Sequence, residues 1–218
     1  MRIVIAGGHG KIGLLLARLL AERGDQALGL IRNPAQVAEV REAGAEAVVC
    51  DLETASADDV AALLSGADAV VFAAGAGPGS GAPRKDSVDR AAAVLMADAA
   101  EQAGVRRFVQ VSAMGAGQPP RPGSDEVWAA YITAKTAAED DLRGRDLDWT
   151  ILRPGGLTDA PAAGRIRLAP PPTPGGKVPR ADVAAVIAAL LDEPGTRHQT
   201  LELAGGDTPV VAAVHSIS

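Results

Sequence analysis

Tyr131 and Lys135 are the pair of side chains whose types and spacing could move a proton. Tyr131 is the only tyrosine among 218 residues, and Lys135 follows it by four positions in a stretch of helical character. Residues four apart share one face of a helix, so the ammonium would stand beside the phenol. A nearby positive charge favours the phenolate, and such a phenol can give a proton to a carbonyl oxygen. The spacing is common, and by itself it also fits an ordinary helix with an exposed lysine and a half-buried tyrosine.

Ser112 is a second candidate for the same chemistry. It directly follows Arg107–Val111, a run rich in valine that predicts a buried central strand. A hydroxyl at the end of such a strand could donate a hydrogen bond to the oxygen that Tyr131 protonates. The fold would have to bring this strand end to the helix that carries Tyr131.

A glycine-rich turn near the start of the chain predicts a nucleotide site. Arg2–Ala6 is typical of a buried parallel strand, and a predicted helix follows the intervening sequence GGHGKIG at 7–13. Strand, glycine turn and helix in this order form a dinucleotide-binding fingerprint. We interpret Gly7 as the tight turn, Gly10 as the approach for a pyrophosphate, and Gly13 as the contact between helix and strand. Backbone N–H groups at the helix start, including those of Lys11 and Ile12, would face the phosphates. The glycines also fit a register that begins at Gly8.

Arg32 indicates which dinucleotide is bound. It follows the predicted strand Gln26–Ile31, where an NAD-preferring fold usually carries an acidic residue for the ribose 2′-hydroxyl. A guanidinium there suits a 2′-phosphate, so we expect NADP, with NAD the less favoured cofactor. A solvated arginine at a strand end is the alternative.

Other cofactor candidates also follow predicted strands. The carboxylate of Asp51 could meet the adenine edge or cap the next turn, and the two alternatives are about equal. Small residues after strand four would let a ribose lie close above the sheet edge. The candidates are Asp51 and Leu52, Ala74 and Gly75, Lys135 for the ribose hydroxyls, and Arg153 and Pro154.

The elements that must position these residues alternate along the chain. Strands are predicted at Arg2–Ala6, Gln26–Ile31, Ala45–Cys50, Ala67–Phe72, Arg107–Val111, Asp148–Leu152 and Thr200–Leu203. Helices are predicted from Leu14, and over Pro34–Ala43, Ala55–Leu64, Asp86–Ala103, about Glu126–Arg143, and Arg180–Leu191. This alternation predicts an α/β, Rossmann-like, doubly wound parallel sheet with helices on both faces. The ligand crevice should lie outside the carboxyl ends of its strands.

The remaining segments are predicted to be loops or a small appendage. Pro78–Pro83 and Gln118–Asp125 are loops, and 160–179 is irregular, with a proline-rich turn between two short extended pieces. We expect a single domain over 1–218, with a small C-terminal appendage on the substrate side that lies mainly in 153–180.

Composition and charge limit the classes of protein that this sequence fits. Hydrophobic residues make up 47% and aromatic residues 2%, so the core must be aliphatic. The net charge of −6 argues against a nucleic-acid partner, and the single cysteine, Cys50, excludes an internal disulfide and a cysteine-cluster metal site. We expect no metal, no membrane association, no signal peptide and a cytoplasmic location. The expected partner is a small-molecule substrate, and the expected state is a monomer or homodimer.

Five motifs together carry a family resemblance. They are GGHGKIG at 7–13, RFVQVS at 107–112, YITAK at 131–135, LRPGGLTD at 152–159 and RADVA at 180–184. The sequence resembles the short-chain dehydrogenase/reductase superfamily, in its atypical NAD(P)-binding branch, often called NAD-dependent epimerase/dehydratase-like. The resemblance covers nearly the whole chain and implies a Ser–Tyr–Lys active site at Ser112, Tyr131 and Lys135.

The resemblance also implies a role for Asp89. Relatives in this branch tend to carry an aspartate on the helix before strand five; the alternative is that Asp89 favours the start of that helix electrostatically. Many relatives place the catalytic hydroxyl one residue beyond Ser112, where this chain has Ala113. The chain is short after strand six, which favours a small carbonyl-like or quinone-like substrate over a sugar nucleotide.

Two hypotheses follow for function. The first is an NADP-dependent oxidoreductase in which Tyr131 is the acid/base. The second is a non-catalytic NADP(H)-binding regulator that senses the redox state of the cofactor. The sole tyrosine at the right spacing favours the enzyme, whereas Ala113 favours the sensor.

Overall fold

Strands and helices alternate along the chain in the computed structural model, which describes residues 1–77, 79–120 and 123–217. Pro78 in the first predicted loop, Arg121 and Pro122 in the second, and Ser218 lie outside the described residues. The strands are β1 Arg2–Ala6, β2 Gln26–Ile31, β3 Ala45–Val49, β4 Ala69–Phe72, β5 Arg107–Val111, β6 Asp148–Pro154, β7 Gly156–Thr158, β8 Arg165–Ala169, β9 Lys177–Pro179, β10 Gln199–Gly205 and β11 Thr208–Pro209. The helices are α1 Lys11–Glu22, α2 Val37–Glu42, α3 Ala57–Leu64, α4 Ala82–Arg84, α5 Ala92–Ala103, α6 Glu126–Arg143, α7 Arg180–Leu191 and α8 Val210–His215.

The described strands form one large sheet in the order β11-β8-β10-β6-β5-β4-β1-β2-β3. The seven strands from β10 to β3 pair in parallel. The chain runs outward from β1 to β3 and then returns to β4 on its other side, which creates the topological switch point where α/β folds bind ligands. The predicted doubly wound, Rossmann-like fold is confirmed.

The segment predicted to form a substrate-side appendage, 153–180, contains more regular structure than the sequence indicates. β8 pairs antiparallel with both β10 and β11, and β7 pairs with β9 in a separate two-stranded sheet. The segment expected to be irregular, 160–179, therefore contributes a strand to the main sheet, β8, which lies between β10 and the edge strand β11. Its glycine and proline content hides this pairing from local pattern recognition, because the hydrogen-bond partners lie in distant β10 and β7.

Aliphatic side chains fill both faces of the sheet because alternate residues of each strand point to opposite sides. In β1, Ile3 and Ile5 face the layer of α1 and α7, whereas Val4 and Ala6 face the layer of α3 and α5. All four are fully buried. The strand therefore cannot shift by one residue without exchanging its two faces, which fixes the position of the glycine turn that follows it.

The helix predicted over Asp86–Ala103 begins earlier and differently. α4 starts at Ala82, a π-helical stretch runs over Lys85–Ala91, and α5 continues to Ala103, where Gly104 ends it in the left-handed conformation with φ 71°. π-helical turns inside helices are rare and are frequent at functional sites. This one places Lys85 and Asp89 toward the carboxyl edge of the sheet.

The glycine turn is held by contacts that only glycine permits. Gly7 has φ +82°, and a Cβ on Gly13 would lie 2.4 Å from the Gly7 carbonyl oxygen. A Cβ on Gly8 would lie 2.5 Å from the Cα of Gly29 in β2. At Gly10 the nearest atom to such a Cβ, the Gly7 oxygen, is 3.1 Å away. The turn is therefore crowded by protein at Gly7, Gly8 and Gly13 but more open at Gly10.

We predict that Gly8→Ala lowers the free energy of unfolding by about 3 kcal/mol, because the methyl group overlaps the β2 backbone, which cannot yield without disturbing the sheet. Gly10→Ala, the matched control in the same turn, should cost about 1 kcal/mol or less. Urea unfolding followed by circular dichroism measures both. Equal stabilities of the two variants would contradict the assigned contact between Gly8 and Gly29.

Candidate active site and dinucleotide cleft

Lys135 is buried at the point where α6 crosses the end of β5. Its side chain is 5% exposed, and its ammonium donates to the Val111 carbonyl oxygen at 3.0 Å. The Asp89 carboxylate lies 3.3 Å from the same nitrogen, and the ring centroid of Tyr131 lies 5.8 Å from it. The structure thus brings together the predicted pair on one face of α6 and adds Asp89 from the π-helical stretch.

Asp89 connects this pair to the loop after β4. Its side chain is 1% exposed, and one carboxylate oxygen accepts a hydrogen bond from the Ala76 amide at 3.2 Å. A Cβ on Gly75 would lie 3.1 Å from the other carboxylate oxygen. Asp89 contacts Lys135 and lies inside the helical stretch that begins at Ala82. This position differs from the alternative in which Asp89 stabilises the start of a helix.

The phenol of Tyr131 sits in an environment that keeps it protonated. Burial raises its pKa above the ordinary value, and the negative charge of Asp89 raises it further. The sequence suggested that the Lys135 ammonium would favour the phenolate, but Asp89 offsets that charge. Burial also lowers the pKa of Lys135, while Asp89 opposes this change.

Two more side chains complete the surroundings of the Tyr131 ring. The Lys85 ammonium lies 5.3 Å from the ring centroid and donates to the Gly77 carbonyl oxygen at 3.0 Å. The Trp128 ring lies 5.5 Å away at a tilt of 43°, and Trp128 is half exposed. Sequence reasoning missed both residues. The four-residue spacing of Lys85 and Asp89 was the available signal, but a π-helical turn cannot be recognised from sequence.

Ser112 lines the cleft, but its hydroxyl already donates a hydrogen bond to another side chain. The hydroxyl donates to a carboxylate oxygen of Glu139 at 2.6 Å. Glu139 is fully buried and also accepts from the Nε of Arg153 at 2.9 Å. Burial alone would raise the pKa of Glu139, but the hydrogen bonds from Arg153 and Ser112 outweigh it and hold this pKa below its ordinary value. While that bond persists, Ser112 cannot donate to a substrate oxygen as the sequence suggested.

Arg153 is not brought to the predicted cofactor cleft. Its guanidinium pairs with Glu139, and it lines a separate cavity with Met114 and Glu202. A buried carboxylate needs a charged partner, and Arg153 provides it from the neighbouring strand β6.

Pro154 lines the cleft beside Tyr131 and Ser112. Glu139 was missed, although it continues the four-residue spacing that runs from Tyr131 to Lys135.

At the end of the cleft away from Tyr131, a cavity of about 210 Å³ adjoins the glycine turn. It is lined by seven of the predicted cofactor residues: Gly7, Gly10, Arg32, Asp51, Leu52, Ala74 and Gly75. Ala74 and Gly75 also line the cavity of about 630 Å³ that contains Ile12, Asp89, Ser112, Tyr131 and Lys135. The two cavities therefore meet at the end of β4, as one dinucleotide spanning both would require.

The first turn of α1 fits a phosphate group. Its N-cap, Gly10, provides no side-chain hydrogen bond, and the first turn contains no acidic residue. Uncapped amides and the positive end of the helix dipole favour an anion at this position. The Lys11 side chain instead pairs with Asp159 at 2.6 Å, and Asp159 also pairs with Arg180 at 2.6 Å. Gly13 packs beneath the turn.

Fold and site together define a Rossmann-like NAD(P)-binding protein. A model of the family described as NAD(P)H-binding matches residues 7–194, and the chain belongs to that family. The resemblance to NAD(P)-binding proteins of the epimerase/dehydratase type is confirmed. The family is oxidoreductase-like, and its cofactor-binding fold implies a small-molecule substrate.

Three comparisons illustrate the relationship. The chain is 35% identical to the uncharacterised sugar epimerase YhfK of Bacillus subtilis, over 100% of both chains. A solved structure from Bacillus halodurans, of the NAD-dependent epimerase/dehydratase type, has 35% identity and a TM-score of 0.91 over 99% of both chains. The oxidoreductase ylbE from Lactococcus lactis has 29% identity and a TM-score of 0.86, covering 99% of this chain and 96% of that one. Across the described ranges, helices that combine the length and apolar character of a membrane span are absent.

We predict that Asp89→Asn lowers the pKa of the Tyr131 phenol by on the order of one pH unit, because it removes a negative charge and leaves the Lys135 charge uncompensated. Tyrosinate absorbance reports on this phenol alone, since the chain has one tyrosine. Asp86→Asn, an exposed aspartate of the same stretch that pairs with Arg90, is the control. An unchanged titration in Asp89→Asn would contradict the assigned coupling between the two groups.

Proposed function

We propose that the protein is an NADP-dependent oxidoreductase that transfers hydride between NADP(H) and a small carbonyl-like or quinone-like substrate. The observation that carries this proposal is the convergence of Tyr131, Lys135 and Asp89 in the same cleft as the glycine turn. A buried phenol beside an ammonium suits proton transfer, and the glycine turn suits a dinucleotide.

In the reduction direction, Tyr131 acts as the acid. Its raised pKa keeps the proton on the phenol at neutral pH, so the proton is available for the carbonyl oxygen of a substrate. NADPH supplies the hydride when bound. The ammonium groups of Lys135 and Lys85, 5.8 and 5.3 Å from the ring centroid, partly offset the cost that burial and the Asp89 charge place on the phenolate that remains. Solvent then returns a proton to the phenol.

Ser112 and Lys135 have orienting roles in this proposal. The Ser112 hydroxyl donates its hydrogen bond to Glu139, so its lone pairs are free to accept a hydrogen bond from the phenol or from a substrate hydroxyl. Lys135 donates one N–H group to the Val111 carbonyl oxygen, and the Asp89 carboxylate lies 3.3 Å from its nitrogen as an ion pair. Another N–H group is available for a ribose hydroxyl of the cofactor.

The substrate side of the cleft favours a small, planar acceptor. The rings of Trp128 and Tyr131 flank it, and Leu157 and Arg180 line it from the appendage. Aromatic faces of this kind stack on conjugated carbonyl compounds. We therefore assign residues 153–180 to substrate binding, within a single domain that comprises the whole chain.

We expect NADP to be preferred because Arg32 lines the cavity at the end of β2, with a side chain that is 56% exposed. Arg32→Ala should weaken NADP⁺ binding about tenfold or more and leave NAD⁺ binding almost unchanged, since only NADP⁺ carries the 2′-phosphate. Calorimetric titration of both cofactors measures this, with the exposed Arg41→Ala on α2 as control. Equal losses for both cofactors would overturn the assigned role of Arg32.

Tyr131→Phe tests the catalytic role directly. We predict that it lowers turnover at least about 100-fold through loss of the proton donor, while the NADPH dissociation constant stays nearly unchanged. NADPH consumption is followed with a panel of small ketones, aldehydes and quinones. Thr133→Ala, on the exposed side of the same helix turn, is the control. Wild-type turnover in Tyr131→Phe would exclude this phenol as the acid.

A second candidate function is a non-catalytic NADP(H) sensor. The hydrogen bond that the Ser112 hydroxyl donates to Glu139, and the presence of Ala113 at the next position, favour it because neither residue after β5 then donates a hydrogen bond to a substrate carbonyl. This alternative predicts tight NADPH binding with no consumption across the whole substrate panel. Turnover that depends on Tyr131 would exclude it.

A further inference from the structure

Glu53 joins two arginines from different parts of the chain at the adenosine end of the cleft. It follows β3, and one of its carboxylate oxygens lies 2.5 Å from Nη2 of Arg84 and 3.5 Å from Nη1 of Arg32. The other oxygen accepts from the Ser87 hydroxyl at 2.6 Å. We call Arg32, Glu53 and Arg84 the Arg–Glu–Arg cluster. All three line the cavity of the glycine turn.

The charges of the cluster leave it net positive. Hydrogen bonds from Arg84 and Ser87 hold the pKa of Glu53 below its ordinary value, so the carboxylate is ionised at neutral pH. One negative charge is then shared between two guanidinium groups. Within the described part of the chain, the contact of 3.5 Å with Glu53 is the one ion pair of Arg32, and the side chain is 56% exposed, so most of its N–H groups remain open to a ligand in the cavity.

A second carboxylate lies near the Arg–Glu–Arg cluster. Asp51 lines the same cavity, and its carboxylate accepts from the Glu53 amide at 3.0 Å. It forms no ion pair with either arginine among the described residues. On the opposite wall, His9 pairs with Glu39 at 3.2 Å. Arg32 and Arg84 therefore share one direct carboxylate contact, Glu53, while the charge of Asp51 acts on Arg84 without a direct ion pair among the described residues.

We infer that Arg84 and Arg32 together bind the 2′-phosphate of NADP(H), and that Glu53 is the anion that this phosphate displaces. The inference rests on the NADP preference proposed above and adds a second phosphate ligand and a competing carboxylate. A phosphate accepts hydrogen bonds from two guanidinium groups at once, and a carboxylate occupies the same donors. Glu53 therefore sets how strongly the site discriminates between NADP and NAD.

The position of Arg84 couples this phosphate site to the active site. α4 leads directly into the π-helical stretch that carries Lys85, Ser87 and Asp89. A phosphate held by Arg84 would fix the start of the stretch whose later residue, Asp89, contacts Lys135. The sequence signal is weak, because Arg84 lies 52 positions after Arg32 in a glycine- and proline-rich segment.

The probes that isolate the 2′-phosphate are 2′,5′-ADP and 5′-AMP, which differ by that group alone. Calorimetric titration of the full-length protein gives the ratio of their dissociation constants. Arg84→Ala should lower the preference for 2′,5′-ADP about tenfold, with little change for 5′-AMP. Glu53→Gln should raise the same preference several-fold, because the neutral amide competes poorly for the arginines.

Arg90→Ala is the matched control, since Arg90 lies on the same stretch and pairs with exposed Asp86. It should leave the ratio unchanged. A preference that Arg32→Ala abolishes but Arg84→Ala and Glu53→Gln leave intact would overturn the two-arginine site and retain the NADP assignment. A wild-type protein that binds the two nucleotides equally would overturn both. A fall in preference in Glu53→Gln would show that Glu53 supports the phosphate site and would overturn its role as competitor.

Discussion

The buried ammonium of Lys135 is the constraint on which the active site depends. A lysine with a side chain only 5% exposed needs a compensating charge and hydrogen-bond acceptors. Asp89 supplies the charge and the Val111 carbonyl supplies an acceptor. Because these groups come from the π-helical stretch and from β5, and Lys135 itself from α6, one buried ammonium connects three elements that form the cleft, through an ion pair and a hydrogen bond. The loop after β4 is held by the same carboxylate through the Ala76 amide.

One face of α6 carries two different kinds of buried charge. Tyr131, Lys135 and Glu139 are spaced by four residues, and they point toward the edge where β5 and β6 end. The first two line the cleft, whereas Glu139 pairs with Arg153 and accepts a hydrogen bond from the Ser112 hydroxyl. Removal of one partner of such a pair leaves an uncompensated charge, which makes the Glu139–Arg153 pair a structural element. Because of this pair, Ser112 and Arg153 contact Glu139, although the sequence analysis predicted a catalytic role for Ser112 and a cofactor-binding role for Arg153.

Some residues that line the cleft could be placed there from the sequence, and others could not. Strand ends are local features, so Gly7, Arg32, Asp51 and Gly75 could be placed at one edge from the alternation of strands and helices alone. Arg84 and Lys85 could not, because they directly follow a segment whose glycines and prolines suggest only a loop. Glu53 could not, because nothing in the turn after β3 indicates which distant side chains it contacts. Their positions follow from the π-helical stretch and from contacts with the turn after β3.

The sequence by itself determined the Rossmann-like order of elements, the glycine turn and the Tyr131–Lys135 pair, because each follows from the short-range periodicity of strands and helices. Only the tertiary structure decided which charges compensate one another. It assigned Asp89 to Lys135, Arg153 and Ser112 to Glu139, and Arg84 to Glu53. It also decided that the Tyr131 phenol stays protonated, since burial and the Asp89 charge outweigh the neighbouring ammonium. Partners separated by tens of residues are brought together by the packing of helices on the sheet, and sequence periodicity contains no information about those distances.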